Sequence, residues 1–199
     1  MAKRQSHPET GMAPKAEQIL QGAIEEFLAH GFAATSMDRV AKTAGVSKAT
    51  LYNHFGDKES LFSALTEYLG EKRILDFVIE EPEDPAIFLK TWATAIFNQI
   101  LNDPELLCFL RLIIGESGRF PELAQAFIRN VVKVGINRLT KSLESYPQLR
   151  LADAEVTARV IMGALLHYLL IQEIMHGEEI MPMERDRYIE GLVKLVITD

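Results

Sequence analysis

Side chains that could contact a nucleic acid are concentrated in one short segment, residues 48–58. They are polar, basic or aromatic, with one small alanine among them: Lys48, Ala49, Thr50, Tyr52, Asn53, His54 and Lys58. On a helix, Thr50 and Asn53 can hydrogen-bond the edges of bases, and the methyl group of Ala49 or Thr50 can contact a thymine. Tyr52 and Lys48 lie beside that face and can reach phosphates. The segment therefore predicts a helix that binds DNA in the major groove.

The residues before this segment carry the signals of a helix-turn-helix. Four apolar residues recur at the spacing of one helical face, namely Met37, Val40, Ala41 and Ala44. Thr35 or Ser36 can cap the start of that helix with a hydroxyl group, and Gly45 can end it in the left-handed conformation. Ser47 is placed to cap a second short helix over 48–55, which would be the helix that enters the groove.

A third helix is expected to begin directly after the second. Gly56 ends the second helix, Asp57 can cap the third, and Lys58 lies in its first turn beside free backbone N–H groups. A helix N-terminus with an added lysine is suited to binding a phosphate. An ordinary helical hairpin with a solvated polar face is the alternative, but the turn, the caps and the exposed face agree with a DNA-binding motif.

The segment from residue 16 to residue 65 resembles the DNA-binding domain of the TetR/AcrR family of bacterial transcriptional regulators. The matching elements are spaced along the chain: Gly31-Phe32, Thr35-Ser36, Val40-Ala41, Gly45-Val46-Ser47, Thr50-Leu51-Tyr52, His54-Phe55, Lys58 and Leu61-Phe62. The resemblance implies DNA contacts by Lys48, Thr50, Tyr52, Asn53, His54 and Lys58, with Thr35 and Ser36 near phosphate. Ala49 and Asn53 occupy positions that vary in that family, so the resemblance does not transfer an operator sequence.

The acidic net charge of −7 is unevenly distributed. Residues 1–60 hold seven Lys or Arg and seven Asp or Glu, so the excess negative charge lies entirely in residues 61–199. A DNA-binding domain needs only a local basic stripe, which Arg39, Lys42, Lys48 and Lys58 can supply. We therefore expect binding that weakens clearly with salt.

Cysteine content and apolar runs predict a cytoplasmic protein. The single cysteine, Cys108, rules out an internal disulfide and fits a reducing compartment. It lies in an apolar helix, where we expect inert packing. The N-terminus has no apolar signal-peptide region, and no apolar run approaches a membrane span, because His167 and Gln172 interrupt the longest one.

Helix-breaking residues divide the chain into about nine helices and predict an all-α fold without strands. The expected helices run from Pro14 to before Gly31 and over 37–44, 48–55, 58–79, 85–102, 104–115, 121–145, 153–176 and 184–197. We assign 1–13 to a disordered tail, 14–60 to the helix-turn-helix domain and 61–199 to a helical regulatory and dimerisation domain.

The last two long helices predict a homodimer interface through about 153–176 and 184–197. The first of them is apolar over most of its circumference, which is typical of a helix buried from two sides. One stripe comprises Val156, Val160, Ala164, His167, Leu170 and Ile171. Complete burial within one subunit is the alternative. A dimer fits a palindromic site, because two recognition helices about 34–36 Å apart meet successive turns of DNA.

The middle helices combine aromatic side chains with a few polar ones, as small-molecule sites do. The candidate ligand-binding residues are Trp92, Phe97, Arg111, Glu116, Phe127 and His167. The resemblance supports such a pocket, since TetR-like repressors are commonly induced there. Three alternatives stay open: the aromatic residues are plain core, Arg111 pairs with Glu116, and His167 is an interface residue.

No sequence pattern typical of an enzyme is present. There is no phosphate-binding glycine loop and no Cys/His cluster with zinc spacing, so we expect no catalysis, metal or cofactor. We therefore expect a repressor that binds a palindromic operator on double-stranded DNA and is released by a small-molecule effector. The alternative is a helical module that binds a ligand or a protein and does not act through DNA.

Overall fold

The computed structural model describes residues 14–77 and 82–197, and within these ranges it is built from helices alone. The α-helices are α1 (Pro14–Ala34), α2 (Met37–Thr43), α3 (Lys48–Phe55), α4 (Lys58–Leu69), α5 (Pro85–Leu101), α6 (Pro104–Glu116), α7 (Pro121–Phe127), α8 (Lys133–Glu144), α9 (Ala154–Tyr168) and α10 (Arg185–Val196). No strand occurs among the described residues, which confirms the expected all-α fold. The expected tail, residues 1–13, lies outside the described residues.

Three π-helical turns extend or join these helices. Gly70–Ile74 continues α4, Ile128–Val132 joins α7 to α8 without a loop, and Leu169–Ile174 continues α9. Counting α7 and α8 as one helix gives nine in the described part of the chain, the predicted number. The boundaries agree with the prediction within a few residues, except at the end of α4.

The helix that begins at Lys58 ends five residues earlier than predicted, at Ile74 instead of Ile79. The next two backbone carbonyls are bonded by side chains. Arg138 donates to the Leu75 carbonyl at 3.0 Å, and Gln99 donates to the Asp76 carbonyl at 3.0 Å. These carbonyl groups therefore have hydrogen-bond partners outside the helical pattern.

The chain forms two compact units. The described part of the first unit comprises residues 14–74 and 103–132, so it holds α1 to α4 together with α6 and α7. The described part of the second unit comprises 75–77, 82–102 and 133–197, so it holds α5, α8, α9 and α10. This division follows contacts within the chain and differs from the expected boundary at residue 60. That boundary separates a DNA-binding domain from a regulatory domain, and it stays a prediction.

Five phenylalanines form the centre of the first unit. Phe62 of α4 lies 5.4 Å from Phe27, 5.6 Å from Phe32 and 5.4 Å from Phe109, measured between ring centroids. Phe120 packs edge-on against Phe32 at 5.1 Å. Edge-to-face and offset ring pairs add to the free energy gained from area burial. The cluster therefore joins α6 and the start of α7 to the helices of the predicted DNA-binding domain.

Aromatic residues with bonded hydroxyl groups organise the second unit. Tyr168 lies between Phe97, at 4.9 Å, and Tyr188, at 5.1 Å between ring centroids. The Tyr168 hydroxyl donates to the Met183 carbonyl at 3.0 Å, and the Tyr188 hydroxyl donates to the Ala164 carbonyl at 2.8 Å. Burial raises the pKa of both phenols above the usual range, so both remain neutral donors near neutral pH.

Two expectations about apolar segments are wrong. Cys108 is exposed, because the buried face of α6 is formed by Leu106, Phe109, Leu110 and Ile113. The stretch Ala154–Ile174 is long and apolar enough to span a membrane by length and composition, since His167 and Gln172 do not offset its other residues. One such helix is weak evidence, because core helices of water-soluble proteins meet the same criterion.

We expect the substitution Phe62→Ala to lower the free energy of unfolding by about 3–5 kcal/mol, because it leaves a cavity among three fully buried rings. Urea unfolding followed by circular dichroism measures the change. Ile128→Ala is the matched control, since Ile128 is 56% exposed, and we expect it to stay within about 0.5 kcal/mol. Equal losses in the two variants would show that the cluster is not central to stability.

Candidate nucleic-acid interface

The helix-turn-helix is set by caps and glycines, as the sequence predicted. The Ser36 hydroxyl accepts from the Arg39 N–H at 3.3 Å and caps α2, and the Ser47 hydroxyl accepts from the Thr50 N–H at 3.0 Å and caps α3. Gly45 has a φ of 65°, in the left-handed region that suits glycine. The turn between α2 and α3 is therefore fixed by local hydrogen bonds and one permissive residue.

The face of α3 opposite its core contact is open to solvent. Leu51 is fully buried and Phe55 is half-buried, which fixes the rotation of the helix. Lys48, Ala49, Tyr52, Asn53 and His54 are exposed, and Thr50 is half-buried. The structure thus brings the six predicted residues of α3 onto one accessible helix, the geometry with which a recognition helix meets base edges.

The Thr50 hydroxyl group already has a partner within the protein. It lies 2.8 Å from the Ser47 hydroxyl, within hydrogen-bonding distance. This bond engages one side of the threonine hydroxyl at the start of α3. The exposed Ala49 side chain provides an apolar group at the same end of the helix.

The cations of the expected basic stripe are largely paired within the protein. Lys48 forms an ion pair with Asp38, and both side chains are more than half exposed. The Arg39 Nε atom lies 3.2 Å from a Glu26 carboxylate oxygen, and its guanidinium contacts His30. The Lys48–Asp38 pair is exposed on both sides and contributes about 0–1 kcal/mol, so a phosphate can displace Asp38 at low cost. The Glu26 side chain is only 13% exposed, so removing Arg39 from it would leave a largely buried carboxylate and would cost more.

Thr35 does not offer its side chain to solvent. It is 2% exposed, and its hydroxyl donates to the Gly31 carbonyl at 2.8 Å and the Glu26 carbonyl at 3.0 Å. Of the two candidate caps, Ser36 is therefore the one that caps α2, and it remains exposed. Thr35 instead stabilises the kink at Gly31, where the regular part of α1 ends, through its bonds to the Gly31 and Glu26 carbonyls.

Lys58 is engaged with backbone carbonyls at the end of α1. Its ammonium group donates to the Phe32 carbonyl at 2.7 Å, to Thr35 at 2.9 Å and to Ala33 at 3.5 Å, and it lies 4.4 Å above the Phe32 ring. The structure therefore gives this ammonium group an internal role, in place of the free phosphate anchor that its position in the sequence suggests. Lys58 fixes α4, and through it α3, against the end of α1.

Asp57 caps α4 as expected. Its carboxylate accepts from the Ser60 N–H at 2.7 Å, and hydrogen bonding by Ser60 lowers the pKa of this carboxyl below the usual range. The bond stabilises the ionised form, so its contribution to stability is present above the ordinary aspartate pKa. It is lost as the pH falls through the lowered value. The cap is therefore intact at neutral pH.

Two residues of α1 that no pattern in the sequence indicates, Gln18 and Glu26, hold α2 in place. The Gln18 amide donates to the Ala44 carbonyl at 2.7 Å, and Glu26 accepts from the Thr43 hydroxyl at 2.6 Å while pairing with Arg39. These partners are separated by 13 to 26 residues in the chain, so no local spacing points to them. They orient the first helix of the motif.

The six candidate ligand-binding residues divide equally between the two units. In the second unit Trp92 and Phe97 are buried on α5, and His167 is exposed on α9. In the first unit Arg111, Glu116 and Phe127 are half-buried. Phe127 packs against the phenylalanine core, and a Glu116 carboxylate oxygen lies beside Gly31.

Four cavities among the described residues are lined by other side chains. Their volumes are about 280, 210, 240 and 10 Å³, and none of the six candidates lines them. The assignment of these six residues to a ligand site therefore stays a prediction. Within the described part of the chain, His, Cys, Asp and Glu form no group of three or more suited to a metal ion.

Comparison with known proteins identifies both parts of the chain. Residues 19–65 match the bacterial regulatory proteins of the tetR family, and residues 89–198 match the C-terminal domain of AefR-like transcriptional repressors. The second match covers more than half of the chain. The first match contains all of α2 and α3, where the exposed recognition face lies.

Individual relatives agree with these matches. The transcriptional repressor SCO4008 of Streptomyces coelicolor is 33% identical over 93 residues, which are 47% of this chain and 46% of that protein. The transcriptional regulator AcrR of Shigella flexneri is 26% identical over 149 residues, or 72% and 69% of the two chains. The match thus spans about half the length of SCO4008 and two thirds of AcrR.

A solved structure extends the likeness to almost the whole chain. The flavonoid-responsive regulator FrrA is 30% identical and superposes with a TM-score of 0.75 over 93% of this chain and 96% of that chain. The helix-turn-helix, the helical C-terminal region and both matches therefore agree, and the chain belongs to the TetR family of bacterial transcriptional regulators.

Proposed function

We propose that this protein is a sequence-specific DNA-binding repressor that leaves its operator when a small molecule binds its C-terminal domain. The exposed face of α3 is the observation that carries the proposal, because Asn53, Thr50 and Ala49 provide both polar and apolar contacts for bases. The matches to AefR-like transcriptional repressors and to the repressor SCO4008 support repression as the direction of regulation. Such a regulator acts where the DNA is, in the cytoplasm.

Residues on α3 divide into those that read bases and those that bind the backbone. Thr50 and Asn53 are positioned for base edges, with Ala49 against a thymine methyl group. Lys48, Tyr52 and His54 flank this face, and Ser36 lies exposed at the start of α2, so these residues suit phosphates. Lys58 contributes by holding α4 and α3 in place through the carbonyls of Phe32 and Thr35, at and just after the end of α1.

One relative supports an organic molecule as the effector. FrrA is described as flavonoid-responsive, and it shares the fold along 93% of this chain. A comparable organic effector would contact both aromatic and polar groups, and each unit offers both kinds: Trp92, Phe97 and His167 in the second unit, and Arg111, Glu116 and Phe127 in the first. The mechanism requires only that the effector bind the released conformation more tightly than the DNA-bound one.

Selection of binding sites from random duplex DNA tests DNA recognition. We expect the wild-type protein to enrich a palindrome, and Thr50→Ala or Asn53→Ala to lose about 1–3 kcal/mol of discrimination at particular base pairs. Tyr52→Ala should weaken binding to every DNA sequence by about the same factor, because this side chain suits phosphates, which are common to all sequences. Lys90→Met, in an exposed ion pair of the second unit, is the control and should leave selection unchanged.

A wild-type protein that enriches no sequence, even after refolding to remove bound ligand, would contradict the proposal. It would favour the alternative, a helical module that binds a ligand or a protein and does not act through DNA. On that alternative, substitutions on α3 should be silent in every assay of function. The same α3 variants therefore distinguish the two hypotheses.

Salt dependence separates the roles of Lys48 and Lys58. We expect Lys48→Met to reduce the slope of log affinity against log salt by about one for each phosphate that the side chain neutralises. Lys58→Met should weaken binding without changing the slope, because its ammonium group donates to carbonyls of α1. Fluorescence anisotropy with the selected operator at several salt concentrations measures both. An equal drop in slope would make Lys58 a direct phosphate ligand.

The exposed faces of α9 and α10 support a homodimer. Val156, Val160 and Leu166 of α9 are 55%, 60% and 56% exposed, and Leu195 of α10 is 80% exposed. The opposite side of α9 is buried within the second unit through Ile161, Leu165 and Tyr168. A surface groove of about 280 Å³ lies between α9 and α10 and is lined by Leu195 and six neighbours. Side chains of a second copy could fill it.

Replacing a residue of this face by a charged one tests the dimer. We expect Val160→Glu to convert the dimer to a monomer, since pairing would bury an uncompensated carboxylate, and to weaken operator binding because half-sites are then bound singly. Sedimentation equilibrium gives the mass. Ile87→Glu on α5 is the control at similar exposure, 55% against 60% for Val160, and should leave the mass unchanged. A wild-type monomer would contradict the assignment.

A further inference from the structure

Within the described residues, the chain passes between the two compact units after Ile74, after Asn102 and after Val132. On the side of the first unit, residues next to these three passages contact one another. We call this group the passage cluster; it consists of Gly70, Arg73, Asp103, Glu105 and Val131. Every contact within it lies inside the first unit.

Arg73 joins the first passage to the second. Its guanidinium donates to the two Asp103 carboxylate oxygens at 2.6 and 2.5 Å and to Glu105 at 2.5 Å. The Arg73 side chain is 23% exposed, and the two carboxylates are 20% and 29% exposed, so the pairs are less screened than surface ones. A planar guanidinium can bind two carboxylates in this way, whereas a lysine ammonium is a point charge.

The same carboxylate of Asp103 also begins α6. One of its oxygens accepts from the Leu106 N–H at 3.0 Å, so Asp103 caps the helix while it binds Arg73. The first turn of α6 is therefore tied to the end of the helix that begins at Lys58. That helix follows α3 directly, with only Gly56 and Asp57 between them.

Close backbone packing joins the first passage to the third. A Cβ atom on Gly70 would lie 3.0 Å from the Val131 side chain and 3.3 Å from the Asn130 carbonyl, so the two chain segments approach closely. The Asn130 amide donates to the Ser63 carbonyl at 3.0 Å and the Thr66 hydroxyl at 2.9 Å. Both segments are π-helical turns, a geometry that is frequent at functional sites.

We infer that Arg73 is the positioning residue that couples the helix-turn-helix to the start of α6. By holding the first turn of α6 to the end of the α4 helix, it makes the passages move together with the helices that carry α3. Without it, the first turn of α6 loses its ion pairs to the end of the α4 helix, and the packing of Phe109 against Phe62 still joins the two helices farther along. The inference deepens the proposed function and rests on it, and it assigns the coupling to one named side chain.

Coupling between sites is reciprocal, so operator binding must change the local stability of the passage cluster. This allows a test that needs no effector. Hydrogen exchange is measured by mass spectrometry on the full-length protein, alone and saturated with the operator selected from random duplex DNA. In the wild type we expect the operator to slow exchange in residues 103–116 by about fivefold or more.

In Arg73→Met, which keeps the aliphatic stem, we expect this operator-dependent slowing in 103–116 to fall below about twofold. Protection of residues 48–55 by the operator should persist, which shows that the variant still folds and binds DNA. Arg73→Lys should lose most of the effect, since one ammonium group does not reproduce the fork of bonds. Lys90→Met breaks an exposed ion pair of the second unit and should behave as wild type.

A second route keeps the test decisive if Arg73→Met does not fold. The double variant Asp103→Asn and Glu105→Gln retains an acceptor at the cap of α6 and removes both charges that face Arg73, so it should lose the effect equally. Unchanged slowing in 103–116 in either folded variant would overturn the role of Arg73. A wild-type protein that selects no operator would instead overturn the proposed function, and the coupling with it.

Discussion

The packing of Phe62 against Phe27, Phe32 and Phe109 is the interaction on which the first unit depends. It places α1, α4 and α6 around one set of buried rings, so α6 belongs physically to the unit that carries the recognition helix. The position of α3 follows from this core, because Leu51 is fully buried while the polar face of α3 remains outside. The recognition helix is thus positioned by an apolar cluster that is itself fully buried.

Electrostatics near the recognition helix is local, and the net charge of −7 says little about it. Lys48 is balanced by Asp38, Arg39 by Glu26, and the Lys58 ammonium by carbonyls at the end of α1. The exposed Lys48–Asp38 pair is weak in water and can be exchanged for a phosphate, whereas the bonds to the largely buried Glu26 carboxylate and to partly buried carbonyls hold the structure together. The basic side chains of Arg39, Lys48 and Lys58 therefore have different functions, although the sequence alone does not distinguish them.

Much of the fold could be predicted because helices are specified by nearby residues. The caps Ser36, Ser47 and Asp57 and the glycine at 45 act within four residues, and they lie where the sequence placed them. The end of α4 could not be predicted, since Arg138 and Gln99 bond the carbonyls that follow Ile74 from 63 and 23 residues away. The exposure of Cys108 escaped prediction because an apolar sequence does not show which side of a helix is covered.

The sequence by itself determined the all-α architecture, the helix-turn-helix and the residues of its exposed face, because periodicity, caps and turns are local properties. Only the tertiary structure decided that Thr35 is buried, that Lys58 bonds the end of α1 and that Arg73 binds Asp103 and Glu105. The Lys58 and Arg73 contacts join residues 23 to 32 positions apart. Such pairings depend on how helices pack around the phenylalanine core, and a side chain's type and neighbours in sequence do not specify them.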